Sequence, residues 1–87
     1  MYIYYTTTFK KMYKKLSKQV RKKADERLTL FSADPFHPLL NNHPLADEYR
    51  GCRSINVTGD FQIVYRERGK DTISLEAIGT HHQLYGG

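Results

Sequence analysis

The chain has 87 residues, of which 39% are hydrophobic, and it carries a formal net charge of +5. A chain of this length builds one hydrophobic core, so we expect a single domain over 1–87. The lone cysteine, Cys52, excludes an internal disulfide framework, and no apolar run is long enough for a signal peptide or a membrane span. We therefore expect a cytoplasmic protein that does not bind a membrane.

Positive charge is concentrated in residues 10–27, where nine lysines and arginines outnumber two acidic residues and give a net charge of +7. The rest of the chain therefore carries a net charge of −2. Charge clustered in this way attracts polyanions such as nucleic acids and makes their binding depend on salt. The simpler interpretation is a solvated helix surface, since lysine is common on exposed helices.

The N-terminal part of the chain predicts a strand followed by two helices. Residues 2–5 are aromatic or β-branched, as in a short strand, and the threonines that follow offer a helix N-cap. Two apolar stripes with helical spacing come next, formed by Phe9, Met12, Tyr13 and Leu16 and then by Val20, Ala24, Leu28 and Phe31. We expect two helices separated near Ser17, with one long bent helix as the alternative.

Residues 34–47 predict a loop, because Asp34-Pro35 stops the second helix and further prolines and asparagines follow. Such a long connection in a compact domain often carries function. Three strands are predicted after it, over 49–57, 61–67 and 72–78, with hairpin turns at Thr58-Gly59 and 68–71. Residues 80–85 predict a short turn or helical cap.

This order, β-α-α-β-β-β, predicts an α+β fold with a twisted, mainly antiparallel sheet and the two N-terminal helices packed on one face. The other face is a candidate open platform for a ligand. Alternation along the strands divides their side chains into two sets. One set contains Arg50, Cys52, Ser54, Asn56, Gln62, Val64 and Arg66, and the other contains Arg53 and Tyr65. The pattern alone does not decide which set faces outward.

Candidate catalytic side chains stand beside turns or strand ends: His43 in the long loop, Asp60 before the strand 61–67, and His81 and His82 after the strand 72–78. Metal-free RNA cleavage needs one group that deprotonates a 2′-hydroxyl and another that protonates the 5′-oxygen leaving group. Histidine suits both steps, because its unperturbed pKa of about 6.5 lies near working pH. The simpler interpretations are a turn residue for Asp60 and a loop residue for His43.

Arginine stabilises a crowded phosphate through paired hydrogen bonds, which makes Arg50, Arg53 and Arg66 candidate phosphate ligands. Phe61 and Tyr85 are candidates for stacking on unpaired bases. A zinc site is not expected, because the lone cysteine has no C-x-x-C partner with which to form the usual set of zinc ligands. We therefore expect no metal and no cofactor.

Four short segments carry a combined pattern along the chain. They are His43-Pro44-Leu45, Tyr49-Arg50-Gly51-Cys52-Arg53-Ser54, Asp60-Phe61 leading into Ile63-Val64-Tyr65-Arg66, and Gly79-Thr80-His81 followed by Leu84-Tyr85-Gly86. In their order and spacing, and with the N-terminal strand and basic helices, they resemble the YafQ branch of the RelE/ParE toxin superfamily. The resemblance covers essentially the whole chain.

The resemblance implies a RelE-like fold and a prokaryotic type II toxin that cleaves mRNA in the ribosomal A site and is neutralised by a cognate antitoxin. Its partners would be the antitoxin, the ribosome and mRNA, with no small-molecule substrate. It assigns His81 as general acid, His43 and Asp60 as the other catalytic side chains, and Tyr85 as an RNA-orienting aromatic. Further RNA contacts would come from Arg50, Arg53, Asn56, Phe61 and Arg66. The residues that would bind the ribosome are Lys10, Lys11, Lys14, Lys15, Lys18, Arg21, Lys22 and Lys23.

Asn56 departs from the pattern of the branch, which places a further histidine four residues before the aspartate. Asparagine can hydrogen-bond a phosphate or ribose but cannot act as a general base near neutral pH. The base is then His43 or Asp60, if the family mechanism holds. The alternative functions are a non-catalytic module of the same fold, either a decayed toxin or a ParE-type gyrase inhibitor, and a generic RNA-binding domain.

Overall fold

In the computed structural model, which describes residues 1–86, a five-stranded sheet carries two N-terminal helices on one face and a short helix on the other. The elements are β1 (Tyr2–Tyr5), α1 (Thr7–Lys14), α2 (Lys18–Ala33), β2 (His43–Pro44), β3 (Cys52–Asn56), β4 (Phe61–Glu67), β5 (Thr72–Thr80) and α3 (His81–Tyr85). The strand order is β1-β5-β4-β3-β2, with only the β1–β5 pair parallel. The predicted α+β fold is confirmed. None of the helices within 1–86 is long and apolar enough to cross a membrane.

The two N-terminal helices are separate, as predicted, because each has its own cap. The Thr6 hydroxyl accepts a hydrogen bond from the Phe9 amide (3.1 Å), and the Ser17 hydroxyl accepts one from the Val20 amide (3.2 Å). The Arg21 guanidinium donates to the Leu16 carbonyl oxygen (3.1 Å) and so satisfies a backbone group just after α1. The alternative of one long bent helix is therefore excluded.

The larger part of the core lies between these helices and the sheet. Phe9, Ala24, Leu28 and Phe31 of the helices pack against a set of side chains from the strands. That set comprises Ile55, Val57, Ile63, Tyr65, Ile73, Leu75 and Ile78. Burying a large apolar side chain of this kind stabilises the fold by roughly 1.5–3 kcal/mol, so this face holds the sheet against α1 and α2.

The opposite face of the sheet carries a second, smaller core of Cys52, Val64, Ala77 and Leu84. The set that contains Cys52 and Val64 therefore points away from α1 and α2, and the set that contains Tyr65 points toward them. This face is not the open platform that the sequence suggested, because α3 and the 45–49 segment cover its apolar side chains. What stays accessible is a cleft beside that cover.

The strands differ from the prediction in three places. A two-residue strand, β2, pairs with β3 through His43 opposite Ser54 and Pro44 opposite Arg53. Two residues carry no readable period, and proline is tolerated there because β2 is an edge strand. β3 begins at Cys52 rather than 49, because a 3-10 turn occupies Asp47–Tyr49. β5 continues to Thr80, two residues beyond the predicted end.

Candidate active site

The start of α3 fixes the position of His81. The Thr80 hydroxyl accepts a hydrogen bond from the Gln83 amide (3.1 Å), and the Gln83 Oε1 accepts one from the Thr80 amide (2.9 Å), which completes a capping box. Gly79 leaves room for this arrangement, since a Cβ there would lie 2.8 Å from the Gln83 Oε1. His81 is therefore held as the first residue of α3, directly after β5.

His43 is held on the edge strand β2, and one of its ring nitrogens is bound to the backbone. Its Nδ1 lies 2.8 Å from the Asn41 carbonyl oxygen. A carbonyl oxygen only accepts hydrogen bonds, so Nδ1 carries the proton and the Nε2 of the neutral ring carries the lone pair. Asn41 has φ 45°, in the left-handed region that asparagine tolerates.

The two histidines line the same cleft although they are far apart in sequence. The cleft has a volume of about 270 Å³, and its walls include His43, Gln62, His81 and Tyr85. Gln62 lies on β4, between the strand that pairs with His43 and the strand that leads into His81. The fold thus brings an imidazole with a free Nε2 lone pair and a second imidazole to one solvent-accessible site.

Tyr85 is the aromatic side chain of the cleft. Its ring packs edge-on against the ring of His81, with centroids 4.7 Å apart, and against the ring of Tyr49, with centroids 5.6 Å apart. Its hydroxyl donates to the Gln62 Oε1 at 3.1 Å. Burial raises the pKa of Tyr49, and the neighbouring Glu48 adds to the effect, so this supporting phenol stays neutral. Tyr85 therefore restricts the orientation of His81.

Asp60 is not among the residues that line this cleft. It lies in the exposed turn before β4, and its backbone amide donates to the Thr58 hydroxyl at 3.4 Å. The next residue, Phe61, pairs with Thr80 across β4 and β5, so Asp60 stands near the start of α3 in the register of the sheet. Asn56, half-buried at the end of β3, lies opposite Gln62.

The arginines lie on both faces of the sheet. Arg66 lies on the same strand face as Gln62. Its guanidinium packs against Gly51, where an added Cβ would lie 2.8 Å from the Arg66 Nη1. Arg50 is exposed just before β3. Arg53, by contrast, lies on the face of α1 and α2, where its Nε donates to the Asn42 Oδ1 (2.8 Å) and its guanidinium stands over the Phe36 ring (5.3 Å).

The aromatic ring of Phe61 packs on the helix-side core rather than beside the two histidines. The predicted set is therefore divided: His43, His81 and Tyr85 come together, while Arg53 and Phe61 point to the other face. Sequence reasoning missed Gln62 and Ser54 as parts of the site. The sequence signal that could have indicated them is their polarity, because Gln62 and Ser54 lie on the strand face that also carries Cys52 and Val64.

The basic helices present most of their charge to solvent. The exposed lysines of this surface are Lys10, Lys11, Lys14, Lys15, Lys18 and Lys22. Arg21 is instead half-buried over the end of α1, and Lys23 forms an ion pair with Glu26 at 3.8 Å. Within residues 1–86, no group of three or more His, Cys, Asp or Glu side chains is placed to hold a metal ion.

The sheet order and the helices on its two faces define a RelE-like toxin fold. The YoeB/ParE toxin from Agrobacterium tumefaciens shares this fold at 20% identity, with a TM-score of 0.77 over 93% of this chain and 99% of that chain. YafQ from E. coli strain BL21(DE3) is 27% identical, with a TM-score of 0.82 over 97% of each chain.

The family of the chain follows from its sequence. The sequence model described as "Bacterial toxin of type II toxin-antitoxin system, YafQ" matches residues 1–86, so the chain belongs to the YafQ family of type II toxins. A chain of the E. coli DinJ-YafQ toxin-antitoxin complex is also similar, at 27% identity and a TM-score of 0.79, over 97% of this chain and 96% of that chain. A comparison with curated protein sequences gave no match.

Proposed function

We propose that this toxin is a ribosome-dependent endoribonuclease that cleaves mRNA in the ribosomal A site by metal-independent acid–base catalysis. The observation that carries the proposal is the joint placement of His43 and His81 around one cleft. His43 has a free Nε2 lone pair, because its Nδ1 donates to the Asn41 carbonyl. Family membership supports the same activity.

In the proposed reaction, the Nε2 of His43 takes the proton of a 2′-hydroxyl, and the resulting 2′-oxygen attacks the adjacent phosphorus. The bond from phosphorus to the 5′-oxygen breaks, and a protonated His81 gives its proton to that oxygen. The products are a 2′,3′-cyclic phosphate and a 5′-hydroxyl. Each positioned proton transfer typically accelerates a reaction about 10²–10⁴-fold. Asp60 is the weaker candidate for the base, because it is exposed and outside the cleft.

Phosphate and ribosome contacts follow from the charges around the site. Arg50 and Arg66 are the arginines proposed to bind RNA near the cleft, with Asn56 beside Gln62 as a polar contact. Arg53 and Phe61 are better explained as supports of the 36–42 segment and of the core. The exposed lysines of α1 and α2 are proposed to bind ribosomal RNA, since such a surface attracts phosphates over a distance.

The antitoxin partner is inferred from relatives. E. coli YafQ has been solved in complex with DinJ, and a YoeB-YefM complex is known from Staphylococcus aureus. We infer that this toxin likewise binds a cognate antitoxin, and the basic surface of α1 and α2 favours an acidic partner.

The proposed function is tested by adding the purified toxin to an mRNA with and without translating ribosomes, and by locating new 5′ ends by primer extension. We expect cuts in the reading frame only in the translated sample. Intact mRNA in both samples would contradict the proposal. Intact mRNA together with inhibited DNA supercoiling would support the ParE-type alternative, a gyrase inhibitor of the same fold.

A further inference from the structure

The side chain of Gln62 is held in the cleft by two hydroxyl groups that belong to different elements. The Ser54 hydroxyl of β3 donates to the Gln62 Oε1 at 2.8 Å, and the Tyr85 hydroxyl of α3 donates to the same oxygen at 3.1 Å. Ser54 is fully buried (0% exposed), and Gln62 is half-buried where it lines the cleft. The amide oxygen is therefore held by two donors from different elements.

The two hydroxyls also decide which end of the amide is turned toward them. Among residues 1–86, the Gln62 Oε1 is the acceptor that the buried Ser54 hydroxyl reaches. With the amide reversed, that hydroxyl proton would be buried without an acceptor, which costs about 1–3 kcal/mol. Oε1 therefore faces the hydroxyls. The Nε2 group, with two N–H donors, points away from them.

These donors have no protein acceptor within residues 1–86, and they lie between the two histidines in the order of the strands. β4 carries Gln62, with β3 and His43 on one side of it and β5 leading to His81 on the other. In the proposed reaction, one imidazole takes the proton of the attacking oxygen and the other gives a proton to the leaving oxygen. The phosphate that carries these two oxygens therefore lies between the imidazoles. A fixed N–H donor at that position suits its non-bridging oxygens.

We propose that Gln62 is a substrate-binding residue whose Nε2 donates to a non-bridging oxygen of the scissile phosphate, with Ser54 and Tyr85 as the residues that position it. The proposal rests on the proposed nuclease function and adds a neutral donor to its two imidazoles. Because the amide is already oriented, it needs no reorganisation as charge develops on the phosphate. The Tyr85 hydroxyl thereby gains a role that its ring alone does not supply.

Kinetic tests separate this role from packing. Gln62→Glu keeps an acceptor for both hydroxyls but replaces the N–H donors with negative charge, and we expect cleavage to fall about 100-fold or more, in the range of lost oxyanion donors. Tyr85→Phe keeps the ring against His81 and removes one of the two hydrogen bonds that orient the amide, and we expect a roughly 3–10-fold fall in kcat with little change in thermal stability. The control is Tyr4→Phe, an exposed tyrosine on β1, which should cleave like the wild type.

The failure of this proposal differs from that of the nuclease function. If the wild type cleaves mRNA and Gln62→Glu cleaves equally fast, the role of Gln62 is overturned and the nuclease stands. A binding measurement does not depend on cleavage. On titration with a 2′-deoxy-substituted RNA trinucleotide, the Gln62 side-chain amide signals in a ¹⁵N NMR spectrum should shift, and the shift should be smaller in Tyr85→Phe. Unchanged amide signals at saturating trinucleotide overturn the proposal, whether or not the toxin cleaves mRNA.

Discussion

The Nδ1 of His43 lies 2.8 Å from the carbonyl oxygen of Asn41, and this contact decides which ring nitrogen can act as a base. Since the carbonyl only accepts, the proton of the neutral ring stays on Nδ1 and the lone pair stays on Nε2. In the proposed mechanism the base is His43 rather than residue 56, because asparagine cannot act as a general base near neutral pH. The proposal uses the ring orientation that the Asn41 carbonyl gives to His43.

Replacing His43 tests this assignment. We expect His43→Ala to lower mRNA cleavage by about 10²–10⁴-fold, the usual value of one general base. We also expect the ¹⁵N NMR spectrum of the wild type at high pH to show a pyrrole-type Nδ1 and a pyridine-type Nε2 for His43. The reverse tautomer would contradict the assignment, as would an alanine variant that cleaves normally.

His81 and His82 form a matched pair for the acid. Both are exposed at the start of α3, but only His81 is among the residues that line the cleft. We expect His81→Ala to lose about 10²–10⁴-fold in cleavage rate, and His82→Ala to stay within about twofold of the wild type. The measurement is the rate of appearance of new 5′ ends on a translated mRNA. Equal losses of cleavage rate in both variants would indicate that the substitutions disrupt α3, and would contradict a specific role for His81 as the acid.

Substitutions of the neighbouring residues Asn42 and Asn41 should have different effects on the free energy of unfolding. The Asn42 amide donates to the Tyr65 hydroxyl (2.8 Å) and the Pro35 carbonyl (2.9 Å) and accepts from Arg53 (2.8 Å). Asn42→Ala leaves these partly buried groups unpaired, and we expect a loss of about 1–3 kcal/mol in urea denaturation. Asn41→Gly should be nearly neutral, because glycine also adopts a positive φ. Equal stabilities of the two variants would contradict this account of the network.

The exposed lysines of α2 should contribute to ribosome affinity. We expect the double variant Lys18→Gln, Lys22→Gln to bind ribosomes more weakly than the wild type. Its affinity should also depend less steeply on salt, since each lost phosphate contact lowers the slope by about one. The control is Lys70→Gln in the exposed turn between β4 and β5, which should bind normally. If the control loses as much affinity as the double variant, net charge rather than the α2 surface governs binding.

Stability should fall at alkaline pH. Burial raises the pKa of the Cys52 thiol above its ordinary 9.0, although Arg66 opposes the effect. Burial likewise raises the pKa of Tyr65 above 10.0, with the Asn42 hydrogen bond opposing. The folded protein thus holds these protons more tightly than the unfolded chain. Their contribution is complete below pH 9 and is lost as pH rises through the raised values.

Urea denaturation between neutral and alkaline pH measures this loss. We expect the free energy of unfolding to fall more steeply with pH in the wild type than in Cys52→Ala, because the variant lacks one of the groups. At neutral pH the variant should be only slightly less stable, since it loses one small buried side chain. Identical slopes in the two proteins would show that Cys52 does not contribute to the alkaline decline.

The sequence predicted the fold well where its signals were periodic. The helix stripes, the break near Ser17 and the strand over 61–67 agree with the structure, because side-chain periodicity is a local property. β2 was not predicted, because a strand of two residues is too short to show a hydrophobic alternation. The covered face was not predicted either, because the contacts of Leu84 and Tyr49 with the sheet depend on how α3 and the 45–49 segment fold back.

The candidate site was predictable in part. The residue types of His43, His81 and Tyr85 and their order along the chain pointed to the cleft in which they meet. By alternation, Arg53 and Phe61 share a strand face with Tyr65. The sequence could not assign that face to the core or to solvent, because both sets of side chains contained arginine. The proposed role of Gln62 depends on two hydroxyls from distant elements, and such a hydrogen-bond network is visible only once the strands are in register.

The most direct test of the proposed mechanism replaces the scissile 5′-oxygen of an mRNA with sulfur. A thiolate leaves without a proton, so the reaction no longer needs a general acid. With ribosomes programmed by this mRNA, we expect His81→Ala to cleave at nearly the wild-type rate, while His43→Ala stays slow. A His81→Ala variant that remains as slow on the sulfur-containing mRNA as on the normal one would contradict the role of His81 as the acid.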